Sequence, residues 1–282
     1  MSHQWQTSRF LLQLDKPQVM GIVNVTPDSF SDGGKHTGVS QAMGHAEQLL
    51  KQGAHILDIG GESTRPGSPA VSLEDELDRV LPMLREAVKL NVPISVDTYK
   101  PEVMQAALDI GADIINDICA LRQSGAFEVV SKHRNCGVCL MHMHKTPQDM
   151  HLSHMQGNAV AQVAGFLQQV TLPLLDAGVE RSRIVWDYGI GFGKSVAQNF
   201  ALLAHQQALL GLDFPLLVGW SRKGSLGQVS GLPVEDRMVP SVAAALLAVE
   251  RGARIVRVHD VKDTVAALSV WQAMHDEDAM TA

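Results

Sequence analysis

The chain has 282 residues, 45 % apolar and 19 % charged, with 23 Lys and Arg against 30 Asp and Glu for a net charge of −7. That length allows a large core without disulfide or metal staples, and the mild acidity excludes a nucleic-acid surface, which needs clustered Lys and Arg. Three cysteines make no disulfide framework and no apolar run reaches membrane-helix length, so a cytoplasmic protein with neither nucleic-acid nor membrane partners is expected.

Residues 1–18 read as a lead-in. They carry no basic segment, and Phe10-Leu11-Leu12 is too short for the apolar part of a signal peptide. Eight short β-branched runs follow: Val19–Val25, His55–Gly61, Pro93–Thr98, Asp113–Ile118, Gly137–Met143, Arg183–Gly189, Pro215–Trp220 and Ile255–Asp260. Each is mostly continuous in its apolar character, as parallel strands covered on both faces are.

The segments between them carry helical spacing. Leu73–Leu90 opens after Ser72, an N-cap residue, with Glu74 and Asp75 in its first turn and Leu77, Val80, Leu81, Leu84 and Val88 on one stripe. Ala159–Asp176, Ala197–Leu210 and Val239–Glu250 repeat the pattern, and Gly53, Gly111, Gly178, Gly211 and Gly252 stand where helices end in a left-handed residue. The face Ser241–Val249 has the composition of either an interface or a core helix. Eight alternating β and α units without a linker predict one α/β domain over 19–274, a single (β/α)₈ TIM barrel, with a flexible tail at 275–282.

Barrels of this kind place their chemistry at the C-terminal ends of the strands. Those positions here hold Asn24, Asp58, Asp97, Asn116 and Asp117, Met141 and His142, Asp187, Ser221-Arg222-Lys223, and Arg257 with His259 and Asp260. Packing does not call for polar groups at nearly every strand end. Arg257 and His259, two apart on the last strand, share a face, and with Arg65 they suggest a clamp for phosphate or pyrophosphate. Asp97, Asn116, Asp187 and Lys223, from four different strands, can read the donor and acceptor edge of a flat, nitrogen-rich heterocycle.

Other motifs fail on spacing. Gly193-Lys194-Ser195 lacks the glycine a P-loop requires at 188, where Tyr188 stands. Cys136 and Cys139 are a single pair three apart on a strand, facing opposite sides. His142 and His144 lie on the fifth strand, whereas barrel metallohydrolases place such a pair on the first, so histidines that are exposed or that back other site residues are expected rather than a zinc site.

The runs from Met20 to Gly34 and from Asp58 to Gly67 resemble the dihydropteroate synthase family. So do Ser95-Val96-Asp97-Thr98 with Lys100-Pro101-Glu102-Val103, Ile115-Asn116-Asp117-Ile118, Gly191-Phe192-Gly193-Lys194, Val218-Gly219 with Ser221-Arg222-Lys223, and Arg257-Val258-His259-Asp260-Val261. The resemblance spans about residues 19 to 268. It implies a transferase of folate biosynthesis that condenses para-aminobenzoate with 6-hydroxymethyl-7,8-dihydropterin pyrophosphate. It also implies a TIM barrel using Mg²⁺, a homodimer, and a target of sulfonamides.

Carried over residue by residue, the resemblance gives Asp97, Asn116, Asp187 and Lys223 to the pterin, with Met141 packing on it. Asn24 would hold Mg²⁺ on the pyrophosphate, which Arg65, Arg257 and His259 also grip. Thr64, Arg65, Pro66, Phe192, Ser221 and Lys223 would shape the para-aminobenzoate pocket, and Asp28 and Phe30 would belong to a closing loop. Asp97, Lys223, Arg257 and His259 would be the catalytic groups. The chain departs from the family pattern at Tyr188, where proline is usual, at His144-Lys145 in place of Gln-Gly, and at the bulky Trp220. A non-catalytic pterin-binding paralogue and a pterin-binding methyltransferase are the rival expectations. The first has no need of Asn24, Arg257 and His259 together, and the second none of Ser221-Arg222-Lys223.

Overall fold

The computed structural model describes residues 4–25, 35–63, 70–146, 149–150, 152–211 and 213–276. Its elements run β1 (Gln4–Gln6), β2 (Leu11–Gln13), β3 (Gln18–Asn24), α1 (Lys35–Lys51), β4 (Ile56–Gly60), α2 (Leu73–Ala87), β5 (Ile94–Asp97), α3 (Pro101–Ile110), β6 (Ile114–Asp117) and α4 (Ala126–Lys132). Then come β7 (Gly137–Met141), α5 (Ala159–Asp176), β8 (Ile184–Asp187), α6 (Val196–Ala204), α7 (Gln207–Leu210), β9 (Leu216–Val218), α8 (Gly224–Ser230), α9 (Met238–Glu250), β10 (Ile255–Val258) and α10 (Val261–His275). Strands β3 to β10 pair in parallel and close on themselves in the order β10-β3-β4-β5-β6-β7-β8-β9, the expected eight-stranded barrel.

Closure sorts every strand residue into one of two compartments. Outward side chains such as Leu57, Val96, Leu140, Trp186 and Val256 pack with helix residues such as Leu84, Met104, Leu167 and Ala248 in one continuous core. Inward side chains at the lower end (Met20, Ile56, Ile114, Cys139, Val185, Leu217 and Ile255) form a separate apolar plug. Because strand side chains alternate, the residues two and four further on are inward as well. Among them are Asn24, Asp58, Asn116, Met141, Asp187, Arg257 and His259, and Asp97 joins them from β5, two beyond Ser95, the register partner of Asp58. A dry layer therefore lies directly beneath a polar one.

The lead-in is more than a lead-in. Strands β1 and β2 make an antiparallel hairpin that closes the lower end of the barrel. Trp5 and Leu14 are fully buried in the plug, and the Trp5 indole donates to the Arg183 carbonyl at 3.0 Å. Gly137 permits that approach, since a Cβ there would meet Trp5 Nε1 at 2.9 Å. Arg9 locks the hairpin by reaching both carboxylate oxygens of Asp113, through Nη2 at 2.6 Å and Nε at 3.0 Å.

Three helix expectations shift. In α2, capped by Ser72 Oγ on Asp75 N at 3.1 Å, the buried face is Glu76, Val80, Met83, Leu84 and Ala87, one position off the apolar stripe, because Glu76 turns inward to a lysine. The helix expected over Ala197–Leu210 breaks between α6 and α7, where Gln206 is fully buried. Asp213 (φ 60°), not Gly211 (φ −61°), takes the left-handed turn that follows. The tail beyond residue 276 lies outside the described residues.

Trp5→Ala removes the hairpin's anchor at the end of the barrel away from the polar layer. It should lower unfolding free energy by about 3–5 kcal/mol in urea titrations, while leaving ligand affinity at the other end within error.

Candidate active site

One guanidinium organises the polar layer. Arg257, on the last strand, donates from Nε to Asp58 Oδ2 at 2.6 Å and from Nη2 to Asp97 Oδ2 at 2.7 Å. Asn116 Nδ2 reaches the same Asp58 oxygen at 3.3 Å. Asp187 completes the ring of carboxylates and accepts the Gly189 N–H at 2.7 Å. Asp58 is fully buried, and Asp97, Asn116 and Asp187 nearly so.

Three carboxylates thus share the layer with two cations, Arg257 and Lys223, and burial makes the mismatch expensive. Burial raises Asp97 to about 7 against the opposing pull of Arg257, with Asp58 and Glu76 adding to the rise. Burial also raises Asp187, although the Gly189 N–H and Lys223 hold it back. Lys223 is lowered to about 8 by burial and by Arg257. Arg257 is held above its ordinary value because Asp58 and Asp97 outweigh the cost of burial. The result is a shallow floor of acceptors and donors whose charges are only just balanced, well matched to an electron-poor ring with adjacent N–H groups and a carbonyl.

The rim is cationic and apolar by turns. Ser221 Oγ accepts the His259 backbone N–H at 3.1 Å and lies 2.9 Å from His259 Nδ1. Burial, then Arg257 and Arg222, lowers His259 to about 3, so the ring is neutral. Arg222, in a left-handed conformation (φ 58°), is tied to Asp260 at 2.6 Å. The Lys223 ammonium lies 4.4 Å from the centroid of the Phe192 ring. Phe192 in turn packs with Met141, Met143, Met150, Ile118 and Cys119 in an apolar shelf, against which Tyr99 rests. Asn24, at the end of β3, is exposed.

Two residues that sequence reasoning gave no role hold the loops in place. Lys194, buried, donates to the carbonyls of Gly189 (2.7 Å), His142 (3.1 Å) and Phe192 (3.3 Å), which joins the loops after β7 and β8. Burial lowers it to about 7 while Asp187 opposes the fall. The two loops cross so closely that a Cβ at Gly189 would lie 2.0 Å from the His142 carbonyl oxygen. Lys100 forms ion pairs with Glu62 (2.5 Å) and Glu76, and the Tyr99 hydroxyl donates to Glu62 at 3.0 Å, so the second loop is pinned at its root.

Most of the expected site comes together: Asp97, Asn116, Asp187, Lys223, Arg257, Met141, Phe192, Ser221 and His259 converge on one mouth, with Asn24 at its edge. Thr64, Arg65 and Pro66, and the closing-loop residues Asp28 and Phe30, lie outside the described residues. Asp117 faces outward, where Oδ1 and Oδ2 accept the N–H groups of Cys119 (2.7 Å) and Leu121 (2.6 Å) and shape a loop. Cys136 and Cys139 are free and buried, like Cys119. His142 packs edge-on against Phe166, and among the described residues no cluster of His, Cys, Asp and Glu could hold a metal by itself. Asp58 was visible as a polar strand end, but its part as partner of a strand 199 residues away was not. Lys194 carried no signal beyond its place in the Gly191-Phe192-Gly193-Lys194 run.

A family model described as pterin binding enzyme matches residues 20–259. The curated dihydropteroate synthase of Neisseria meningitidis serogroup B is 49 % identical over 278 residues, 96 % of this chain and 98 % of that protein. The chain is also similar to Xanthomonas albilineans dihydropteroate synthase solved with 4-aminobenzoic acid (TM-score 0.91, 50 % identity, 98 % and 99 % of the two chains). The Burkholderia cenocepacia dihydropteroate synthase complexed with 7,8-dihydropteroate gives a TM-score of 0.89 at 46 % identity, covering 99 % of each chain.

Lys194→Met should leave three loop carbonyls without their donor and cost about 3 kcal/mol of stability in urea unfolding. A loss below about 0.5 kcal/mol would show that the ammonium does not join the two loops.

Proposed function

This chain belongs to the dihydropteroate synthase family of pterin-binding enzymes, and from that membership we infer a transferase that joins para-aminobenzoate to 6-hydroxymethyl-7,8-dihydropterin pyrophosphate. The products are 7,8-dihydropteroate and pyrophosphate, a step of folate biosynthesis. The observation that carries the reading is the inward convergence of Asp97, Asn116, Asp187 and Lys223 around Arg257, directly below a cationic rim.

In this reading the four floor residues hold the pterin edge, and Met141 covers one face of the ring. Arg257, held by Nε and Nη2 to carboxylates, turns its remaining edge to the leaving group, and the neutral His259 imidazole lies beside it. The carbon–oxygen bond to pyrophosphate breaks first. Asp97 and Asp187, held nearby as acceptors, stabilise the pterin methylene cation that results. The amine of para-aminobenzoate, unprotonated near neutral pH, then forms the carbon–nitrogen bond and loses a proton to the departing pyrophosphate or to water. Phe192, Ser221 and Lys223, with Thr64, Arg65 and Pro66, hold the arylamine so that positioning supplies most of the acceleration.

Mg²⁺ belongs to this proposal. Asn24 offers a single exposed amide oxygen, too few donors for a closed protein cage but suited to an ion that keeps its waters and shares phosphate oxygens with the substrate. Bound there, the ion would neutralise charge on the leaving pyrophosphate. Cytoplasmic location also belongs to it, favoured by three free, buried thiols.

We propose further that the chain forms a homodimer through α9 and α10. Within Ser241–Val249, Ser241, Ala244, Ala245, Ala248 and Val249 are buried in this chain's own core. Val239, Leu247, Val270 and Met274 instead stand exposed on these two packed helices. Sedimentation should give the mass of two chains, and Leu247→Glu with Val270→Glu should halve it; a single-chain mass for the unaltered protein would reject the dimer.

The central test is pyrophosphate release from the pterin pyrophosphate. It should require both para-aminobenzoate and Mg²⁺, and a sulfonamide should compete with the former. Arg257→Ala should lower turnover by about 100-fold or more, and Asn24→Ala should raise the Mg²⁺ needed for half-maximal rate about tenfold. Release that ignores para-aminobenzoate would sink the synthase reading, and unchanged turnover in Arg257→Ala would remove the leaving-group role.

A further inference from the structure

Behind the barrel wall, three side chains form a buried hydrogen-bonded chain. Trp220 Nε1 donates to the Tyr188 hydroxyl at 3.2 Å. That hydroxyl donates to Gln206 Oε1 at 2.9 Å. The Gln206 amide then donates to the Ala248 carbonyl at 2.9 Å and to the Arg251 carbonyl at 3.1 Å. Tyr188 and Gln206 are fully buried and Trp220 is 1 % exposed. Burial holds the phenol above its ordinary value, so it stays protonated and the direction of the chain is fixed. Each donor has one acceptor and each acceptor is used, the condition under which a buried polar network holds rigidly.

The positions of the three residues matter more than their number. Tyr188 directly follows Asp187. Trp220 directly precedes Ser221 and stands three residues before Lys223, and the Phe200 ring packs against its indole at 5.3 Å. Ala248 and Arg251 close α9, which feeds β10 with Arg257 and His259. The network therefore adjoins Asp187 and Ser221 directly and reaches the end of α9, the helix that leads into the strand of Arg257. Tyr188 gives up the rigid φ of the proline expected there, and Trp220 is the bulky departure nearby; the structure bonds the two to each other. The break between α6 and α7 is what lets Gln206 turn inward to complete the chain.

We propose that Trp220, Tyr188 and Gln206 act as one positioning unit that sets Asp187 and Lys223 in register with the last strand and so tunes the affinity of the mouth for the pterin. This rests on the synthase reading above. None of the three touches the substrate; their effect passes through Asp187 and Lys223, which hold the pterin edge in that reading.

Steady-state kinetics and melting temperatures of Tyr188→Phe, Trp220→Phe and the double variant test the unit. Each single change should raise KM for the pterin pyrophosphate about fivefold to tenfold, a larger change than in kcat or in the KM for para-aminobenzoate. The double variant should be no worse than the worse single, because both changes cut one chain. Melting temperatures that fall while the pterin KM stays put would overturn the proposal and leave a purely structural network. Effects that multiply in the double variant would also overturn it. If Tyr188→Phe does not fold, Trp220→Phe, which keeps the Tyr188–Gln206 bond, decides alone, and an unchanged pterin KM rejects the unit. Unaltered protein without para-aminobenzoate-dependent release would fail the synthase reading. Calorimetric binding of the pterin pyrophosphate to the same variants still tests the unit in that case, with unchanged dissociation constants rejecting it.

Discussion

The Arg257 guanidinium between Asp58 and Asp97 is the interaction on which the polar half of the barrel depends. Carboxylates inside a closed sheet are costly unless a partner neutralises them. Arg257 does so from the last strand, so the charge that makes the layer tolerable arrives only when β10 closes against β3. Closing the barrel and completing the site are in this sense one event. It also explains why the remaining balance is so fine: Asp97 is pushed up to about 7 and Lys223 down to about 8, each within easy reach of a proton when a ligand enters.

Above that layer the loops are set by backbone crowding as much as by side chains. Gly189 and Gly193 allow the loops after β7 and β8 to cross within contact of His142 and His144, and Lys194 gathers the carbonyls that the crossing exposes. Asp117 and the Glu62–Lys100–Glu76 cluster do the same for the loops after β6 and β4. Charges that a sequence places near an active site are thus divided between groups that face the mouth and groups spent on holding loop backbone.

That division marks how far the sequence could be read. The eight strands and their order were legible because continuous apolar runs and the 3.6-residue spacing of helices are local signals. Asp97, Asn116, Asp187, Arg257 and His259 were legible as polar groups at the ends of those runs. Asp117 and Lys194 were not, since an outward carboxylate and an inward one look alike in sequence, and a lysine that binds carbonyls leaves no pattern. The hairpin escaped notice because two three-residue strands carry too little periodicity to detect. Tyr188 and Trp220 were visible only as departures. Their meaning lay in a contact across 32 residues.

The two ends of the barrel answer to opposite demands. At the lower end Trp5 and Leu14 are fully buried, and Arg9 binds an Asp113 that is itself fully buried, so nearly every polar atom is matched and stability accumulates. At the mouth, Asp58 Oδ1 and Ser95 Oγ, neighbours in the β4–β5 register, are buried without a partner among the described residues. Burying polar atoms unmatched costs stability, and the plug below is where the fold recovers it. A site tuned to take up a charged heterocycle keeps its donors and acceptors unspent, so the apolar layer and hairpin beneath it are a condition of the chemistry above and not a separate structural matter.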